Sequence, residues 1–493
     1  MSPSDASPLR HPASNFALDA GIAIGLMAAF ATLFLATFQG RVYGNDGAIL
    51  CEWAVLPEHA YNGYHNVLFV RLAQWCSAAF PTEDPLAPTE FLVACSAAIG
   101  LGISYLCCRL VGCQRRGSVL ATAALGLSPA MWFFATVVEV HATHFMLGAS
   151  GLLVVLAAPW SRPALATLLS SVPIALTYLS HQSAPALGFA WVAAAQYGRL
   201  RRGLPPFRML ALGGIGMGFL VALLIGRCTS NAIRGEGFAL GLNALAGTVE
   251  AWQENRPWQV FIDEVSLPLS LMLLLGVVGW LAGAAQPNRI RALWRSLLGL
   301  ALFLPTASFA VYWGVIERGG YMLVPAIGLT IAAAALWARA GGAVHWILLV
   351  LLILHAGFGG WIVKQHDGTG FQFRERAEIV DRLLPDGGYV VSAKALAPPI
   401  TVHLPEVTEL DLLPSFAGLP SIEAWQTEAR LAAITHLIDG RPFVLDRSYQ
   451  HIDDHWDGLL HGCFEALELA IRSRFEVDEH PHPHWEMWLV RPR

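Results

Sequence analysis

The strongest constraint on this chain is a series of about eleven apolar windows, each with few or no charged residues. They fall at roughly 18–38, 89–108, 117–135, 141–158, 163–180, 183–198, 209–226, 266–284, 297–314, 319–338 and 343–363. A helix rises 1.5 Å per residue, so about 20 residues cross a hydrocarbon core about 30 Å thick. The chain is 55% hydrophobic and 14% charged, with a mean hydropathy of +0.51. Soluble proteins carry about 25% charged residues, so this one lacks the groups that face water. The first window is too long, and too poorly followed by a cleavage site, for a signal peptide, which predicts a retained first helix. The fold expected is an all-α polytopic membrane domain, with 1–17 as a cytoplasmic tail and 18–364 as the spanning part.

Charge alternates along the connecting loops. One set holds Arg109, Arg115 and Arg116, then Arg162, then Arg199, Arg201, Arg202 and Arg208. It continues with Arg289, Arg291 and Arg295, and with Arg339, and contains no Asp or Glu. Short Arg-rich loops mark the cytoplasmic side, which puts the N-terminus inside and the C-terminus outside. The other set is acidic. Loop 39–88 carries Asp46, Glu52, Glu58, Glu83 and Asp84, and loop 227–265 carries Glu236, Glu250, Glu254, Asp263 and Glu264. Most of these carboxylates are expected to be solvated. Within 39–88, Ala48 to Pro57 and Tyr61 to Phe80 read as helices lying on the bilayer surface.

Beyond about residue 365 the composition becomes mixed. Arg374 to Leu384 has helical spacing and stops at Pro385-Asp386-Gly387-Gly388, while Tyr389–Val391 and Phe443–Leu445 read as strands. Residues 365–493 are therefore expected to form a small extracytoplasmic α/β domain. The net charge of −5 argues against a nucleic-acid partner. The eight cysteines show no CxxC pair or zinc spacing, although Cys51, Cys76, Cys228 and Cys463 share one side and leave a disulfide open.

Four outer-side groups could carry chemistry. Tyr43-Gly44-Asn45-Asp46-Gly47 follows the first helix. Its carboxylate serves either as a general base or metal ligand, with glycines giving a substrate room, or as the cap of the next helix. Glu139 lies between two apolar windows, with His141 beside it and His144 one turn on. Ionisable groups at membrane depth are expensive and default to a functional reading, against that of a carboxylate reaching water. His181, in Tyr178-Leu179-Ser180-His181-Gln182-Ser183, is a ligand-binding group or an interhelical hydrogen bond. Arg318 breaks the Arg-inside pattern beside a helix start, which suits a phosphate or a salt bridge. His480, His482 and His484, on one face if extended, bind a metal or form a solvated tail strand, the latter favoured by the two intervening prolines.

Together these residues resemble the GT-C superfamily of membrane glycosyltransferases, with the nearest likeness to its protein O-mannosyltransferase-like branch. The corresponding segments are Gly44-Asn45-Asp46-Gly47, a turn after helix one, and Asn62-Gly63-Tyr64 in a surface helix. Trp132 through Glu139-Val140-His141 and Arg318 through Tyr321-Met322-Leu323-Val324-Pro325 complete the set. Two departures stand out. Tyr61-Asn62-Gly63-Tyr64-His65-Asn66 replaces a His-Pro-Pro-Gly-Tyr-Pro stretch, and two extra glycines separate Arg318 from Tyr321.

The resemblance implies transfer of a sugar, with inversion, from a polyprenyl-phosphate or polyprenyl-diphosphate donor held among membrane lipids. The acceptor would be a hydroxyl of a protein, lipid or glycan at the outer face of a bacterial inner membrane. Asp46 and Glu139 would be catalytic. Asn45, Tyr64, His65, His141, His144, His181, Arg318 and Tyr321 would bind substrate, and a divalent metal ion is an optional cofactor. The rival readings are a secondary transporter, which ordinarily shows two related halves and midplane charges, and a membrane-anchored scaffold or sensor.

Overall fold

The computed structural model describes residues 16–38, 44–55, 66–82, 84, 86–181, 183–204, 257–284, 289–313, 319–337, 342–365, 373–392, 400, 404, 406–411, 426–447, 457–481 and 486–493. By packing, the chain divides into two units: 1–39, 61–72 and 90–368 form one, and 40–60, 73–89 and 369–493 the other.

The first unit is helical. Its elements are α1 (Phe16–Ala36), and, after α2 (Gly44–Val55) and α3 (Val67–Ala79), α4 (Ala87–Leu110), α5 (Arg115–Gly126), α6 (Pro129–Ala135), α7 (His141–Ala157), α8 (Pro163–Ser180) and α9 (Gly188–Arg201). A π-helical turn, Phe261–Ser266, leads into α10 (Leu267–Ala284), followed by α11 (Arg289–Trp313), a 3-10 turn (Gly320–Met322), α12 (Ala326–Trp337) and α13 (Gly342–Gln365). Every apolar window of the sequence coincides with helix except 209–226, which lies outside the described residues. Among the described residues, five helices have both the length and the composition to cross a membrane, or six if the pair α5–α6, bent by 65°, is one span. The bend falls at Ser128-Pro129, where the serine side chain caps α6 by accepting from Met131 N–H at 3.4 Å and proline opens the helix.

Burial sorts these helices. On α13, Trp346, Ile347, Ile353, Leu354 and Trp361 are exposed, as suits a face turned to lipid. Helix α12 is the opposite, buried nearly throughout and packed on α5, α10 and α11. A helix apolar on all sides belongs at the centre of a bundle. Gly328 on α12 meets Gly299 on α11 so closely that a Cβ on Gly328 would lie 2.4 Å from Gly299 O, the close approach that small residues permit in membranes.

The arginine-rich helix ends are knitted together. Asp19, a charge inside the first apolar window that sequence patterning passes over, is buried and accepts from Tyr105 Oη at 3.0 Å, Arg109 Nε at 3.1 Å and Arg115 Nε at 2.7 Å. Other arginines cap final carbonyls: Arg201 donates to Leu110 O (2.7 Å), Arg202 to Ala157 O (2.8 Å) and Arg295 to Val111 O (3.0 Å).

In the second unit, α2 and α3 contribute a bond from Gln74 Nε2 to Trp53 O (2.8 Å). Residues 44–47, expected as a turn, are the first turn of α2, where the N-terminal end of the dipole favours an acidic residue such as that at 46. The C-terminal part comprises α14 (Phe373–Leu383), β1 (Gly388–Ser392), β2 (Val407–Asp411), α15 (Thr427–Ile438), β3 (Phe443–Asp446), α16 (Asp457–Arg474), β4 (Phe475–Pro481) and β5 (Glu486–Pro492). The sheet order is β2-β1-β3-β5-β4, with β1 parallel to β2 and β3, and β5 antiparallel to β3 and β4. Alternate side chains feed two cores. Val391, Phe443 and Leu445 join Leu431 and Ile434 of α15 and Phe464 and Leu467 of α16, whereas Val390 and Val444 join Ile379 and Val380 of α14. Between them Arg376 pairs with Asp446, both fully buried. Trp488 lies under the guanidinium groups of Arg447 and Arg472, 4.5 and 4.1 Å from its ring. Cys51, Cys76 and Cys463 form no disulfide with one another, so the bridge left open by the sequence is not made among them.

Candidate active site

Three loops of the helical unit meet where α6 gives way to α7, where α8 ends, and where the 3-10 turn precedes α12. Helix α7 starts at His141, so His141 and His144 stand one turn apart on one face, and both are buried. His181 follows the last residue of α8 with an extended backbone and is buried as well. Its ring centroid lies 5.0 Å from that of His141 and 5.0 Å from that of His144. Tyr321 closes the group at 5.5 Å from His141 and 5.3 Å from His181, and Phe134 packs edge-on against His141 at 4.7 Å. Four residues singled out from sequence are thus brought together.

A hydrogen-bonded row runs through the cluster. Ser180 Oγ is 2.7 Å from Thr177 O and 2.7 Å from His144 Nδ1. Ser183 Oγ lies between His181 Nδ1 (2.8 Å) and His144 Nε2 (3.5 Å). Ser183 N–H also donates to His181 Nδ1 at 3.1 Å. That nitrogen is therefore an acceptor, and the neutral ring carries its proton on Nε2. Glu139, also buried, accepts from Val140 N–H at 3.0 Å immediately before α7.

Glu264 is the residue that sequence reasoning misplaced. Expected among the solvated carboxylates of loop 227–265, it is fully buried in the π-helical turn. Its carboxylate accepts from Gly319 N–H at 3.0 Å and Tyr321 N–H at 3.3 Å, holding the turn that presents Tyr321. The signal that singled out Glu139 was present here too, since Glu264 sits two residues before the window 266–284. The two glycines after Arg318 also find their reason. Gly319 has φ +91, and a Cβ on Gly320 would lie 2.6 Å from the His141 ring. Only glycine fits either position.

Asn45 and Asp46 occupy the first turn of α2, in the other unit, and their side chains are not among those described. Tyr64, His65 and Arg318 lie outside the described residues. Among the described residues no group of three His, Cys, Asp or Glu side chains is placed to hold a metal ion. Both His144 nitrogens and His181 Nδ1 lie against Ser180 and Ser183 instead, so these three are engaged by the protein rather than offered to a metal. What it offers is a buried group of aromatic faces and hydrogen-bonding side chains, with the Glu139 and Glu264 carboxylates on the segments that carry it, a chemistry suited to a polyhydroxylated ligand.

No family model matches this sequence, and no curated protein matches it. Among solved structures, the chain is similar over nearly its whole length to ArnT from Cupriavidus metallidurans. The form bound to undecaprenyl phosphate matches with a TM-score of 0.59 at 13% identity, covering 97% of this chain and 98% of that one. The apo form matches with a TM-score of 0.54 at 13% identity, over 96% and 97%. Arabinofuranosyltransferase AftD from Mycobacteria matches with a TM-score of 0.51 at 14% identity, covering 95% of this chain and 40% of that one. The chain therefore shares the fold of these structures, and several of its described helices are long and apolar enough for a multi-pass membrane protein.

Proposed function

We propose that this chain is a membrane glycosyltransferase that moves a sugar from a polyprenyl-phosphate donor to an acceptor hydroxyl. The observation that carries the reading is the end-to-end likeness in fold to ArnT, which was captured with undecaprenyl phosphate. A glycosyl donor of that kind has a lipid tail that rests among helices and a phosphate leaving group at the membrane surface.

On this reading Asp46 takes the proton of the acceptor hydroxyl. The oxygen then attacks the anomeric carbon, the bond to the phosphate oxygen breaks, and the polyprenyl phosphate departs with that electron pair. Attack opposite the leaving group inverts the anomeric centre. Arg318 steadies the phosphate through bidentate contacts. Glu139, His141, His144 and His181 hold sugar or acceptor hydroxyls, Tyr321 supplies an aromatic face, and Asn45, Tyr64 and His65 contact the acceptor. The reaction takes place on the acidic, extracytoplasmic face, with the domain from 365 onward selecting the acceptor. A protein acceptor, as in the O-mannosyltransferase-like branch, is the finer form of the proposal.

The test is transfer of labelled sugar from polyprenyl-phosphate donors in membranes containing the wild type or Asp46→Asn. Loss of a positioned general base predicts a fall of about 10²- to 10⁴-fold. Transfer by the variant at the wild-type rate removes Asp46 from catalysis, and transfer by neither protein with any donor tested removes the glycosyltransferase reading.

A further inference from the structure

The helical unit contains a largely apolar cavity with charged groups at its edge, at its arginine-rich end. It has a volume of about 210 Å³ and is walled by the start of α1, the ends of α4 and α7, and the last residue of α9. Phe16, Leu106 and Leu153 supply an apolar wall, and Arg109 and Arg201 supply guanidinium groups. Asp19 also borders it, with its carboxylate held by Tyr105, Arg109 and Arg115. Around the cavity mouth three arginines face one carboxylate, so its surroundings carry a net positive charge. Arg201 spends one donor on Leu110 O at 2.7 Å, and a guanidinium has five.

We infer that this cavity is a binding site for the phosphate headgroup of an anionic membrane lipid. The two parts of the cavity match the two parts of such a molecule. The Arg201 guanidinium bonds phosphate oxygens while Arg109, itself held by Asp19 and Cys113 O, adds its charge, and the acyl chains leave past Phe16 of α1, Leu106 of α4 and Leu153 of α7. Helix α1 has the length and composition of a membrane span, and Phe16 is exposed on it, so the apolar exit opens toward lipid. Basic pockets between membrane helices recognise anionic headgroups in this way. The Asp19 carboxylate would repel a phosphate if unpaired, but its two arginine partners neutralise it and remain close enough to attract the anion. This site stands apart from the histidine cluster and does not depend on the glycosyltransferase reading.

The test uses full-length protein in detergent, titrated separately with phosphatidylglycerol, phosphatidylcholine and inorganic phosphate, with bound lipid counted by native mass spectrometry. Wild-type protein should retain phosphatidylglycerol at least about tenfold better than phosphatidylcholine, and Arg201→Ala should reduce that retention about tenfold, as the loss of one charge-assisted hydrogen bond predicts. Leu153→Trp, which fills the cavity while sparing every arginine, should have the same effect and carries the test alone if Arg201→Ala does not fold. Equal retention of the two lipids, or undiminished phosphatidylglycerol binding in folded Leu153→Trp, overturns the inference. Displacement of the lipid by equimolar inorganic phosphate also overturns it, by showing that the site takes a free anion.

Discussion

At the scale of single residues, the histidine cluster depends on contacts that a single methyl group can break. Gly320→Ala drives a Cβ into the His141 ring, which predicts a loss of about 1–3 kcal/mol from overpacking. The expected readout is a lower melting temperature with weakened sugar transfer. Glu264 gives a graded pair of variants. Glu264→Ala removes the acceptor of two buried N–H groups, costing about 1–3 kcal/mol for each one left unsatisfied. Glu264→Gln keeps one acceptor oxygen and should lose less than half as much. Equal losses in a denaturation series would show that the carboxylate does not hold this turn. The histidines were legible in the sequence because each interrupts an apolar window. Their serine partners were not, since Ser180 and Ser183 look like any small residues near a helix end until the chain brings α7 and α8 together.

At the scale of elements, α10 carries the strain. Ser270 has φ 33 inside an otherwise helical run, and its Oγ lies 3.1 Å from His355 Nδ1 of α13. His355 Nε2 in turn donates to Ala124 O of α5 at 3.1 Å, so one imidazole bridges three helices. A non-glycine residue at positive φ costs about 1 kcal/mol. Ser270→Ala keeps that cost and gives up the hydrogen bond, predicting a loss of about 1 kcal/mol. Ser270→Gly gives up the same bond but relieves the backbone, and should melt close to wild type. Apolar patterning found α10 but not its break, because a backbone kink held by a histidine about 85 residues away in sequence leaves no local mark. In the other unit, α16 supplies a pH dependence. Burial raises the Glu468 carboxyl above the usual carboxylate range, against the opposing pull of Arg447, which holds it at 2.6 and 2.9 Å. The folded state therefore binds this proton more tightly than the unfolded one. Its contribution is complete below the unfolded pKa and lost as pH rises through the folded value. Urea midpoints should show wild type losing stability relative to Glu468→Gln, whose side chain stays neutral, as pH rises from about 4 to 7, and a flat difference would count against this.

At the scale of the whole molecule, the ordering of apolar windows was legible because lipid imposes one simple demand on every spanning segment. The α/β character of the C-terminal part was legible from its helix stop and strand runs, but its mixed sheet order was not, since β3-β5-β4 pairing is decided by long-range contacts that no local pattern encodes. The central position of α12 has a consequence for how the chain is made. Its twelve described residues span about 18 Å and are buried nearly throughout, so protein rather than lipid covers them. The helices that surround it, α5, α10 and α11, all precede it in the chain. During synthesis they can already be in the bilayer when α12 leaves the ribosome, so that it enters a waiting protein groove rather than lipid, and the bundle closes only when its last inner helix arrives.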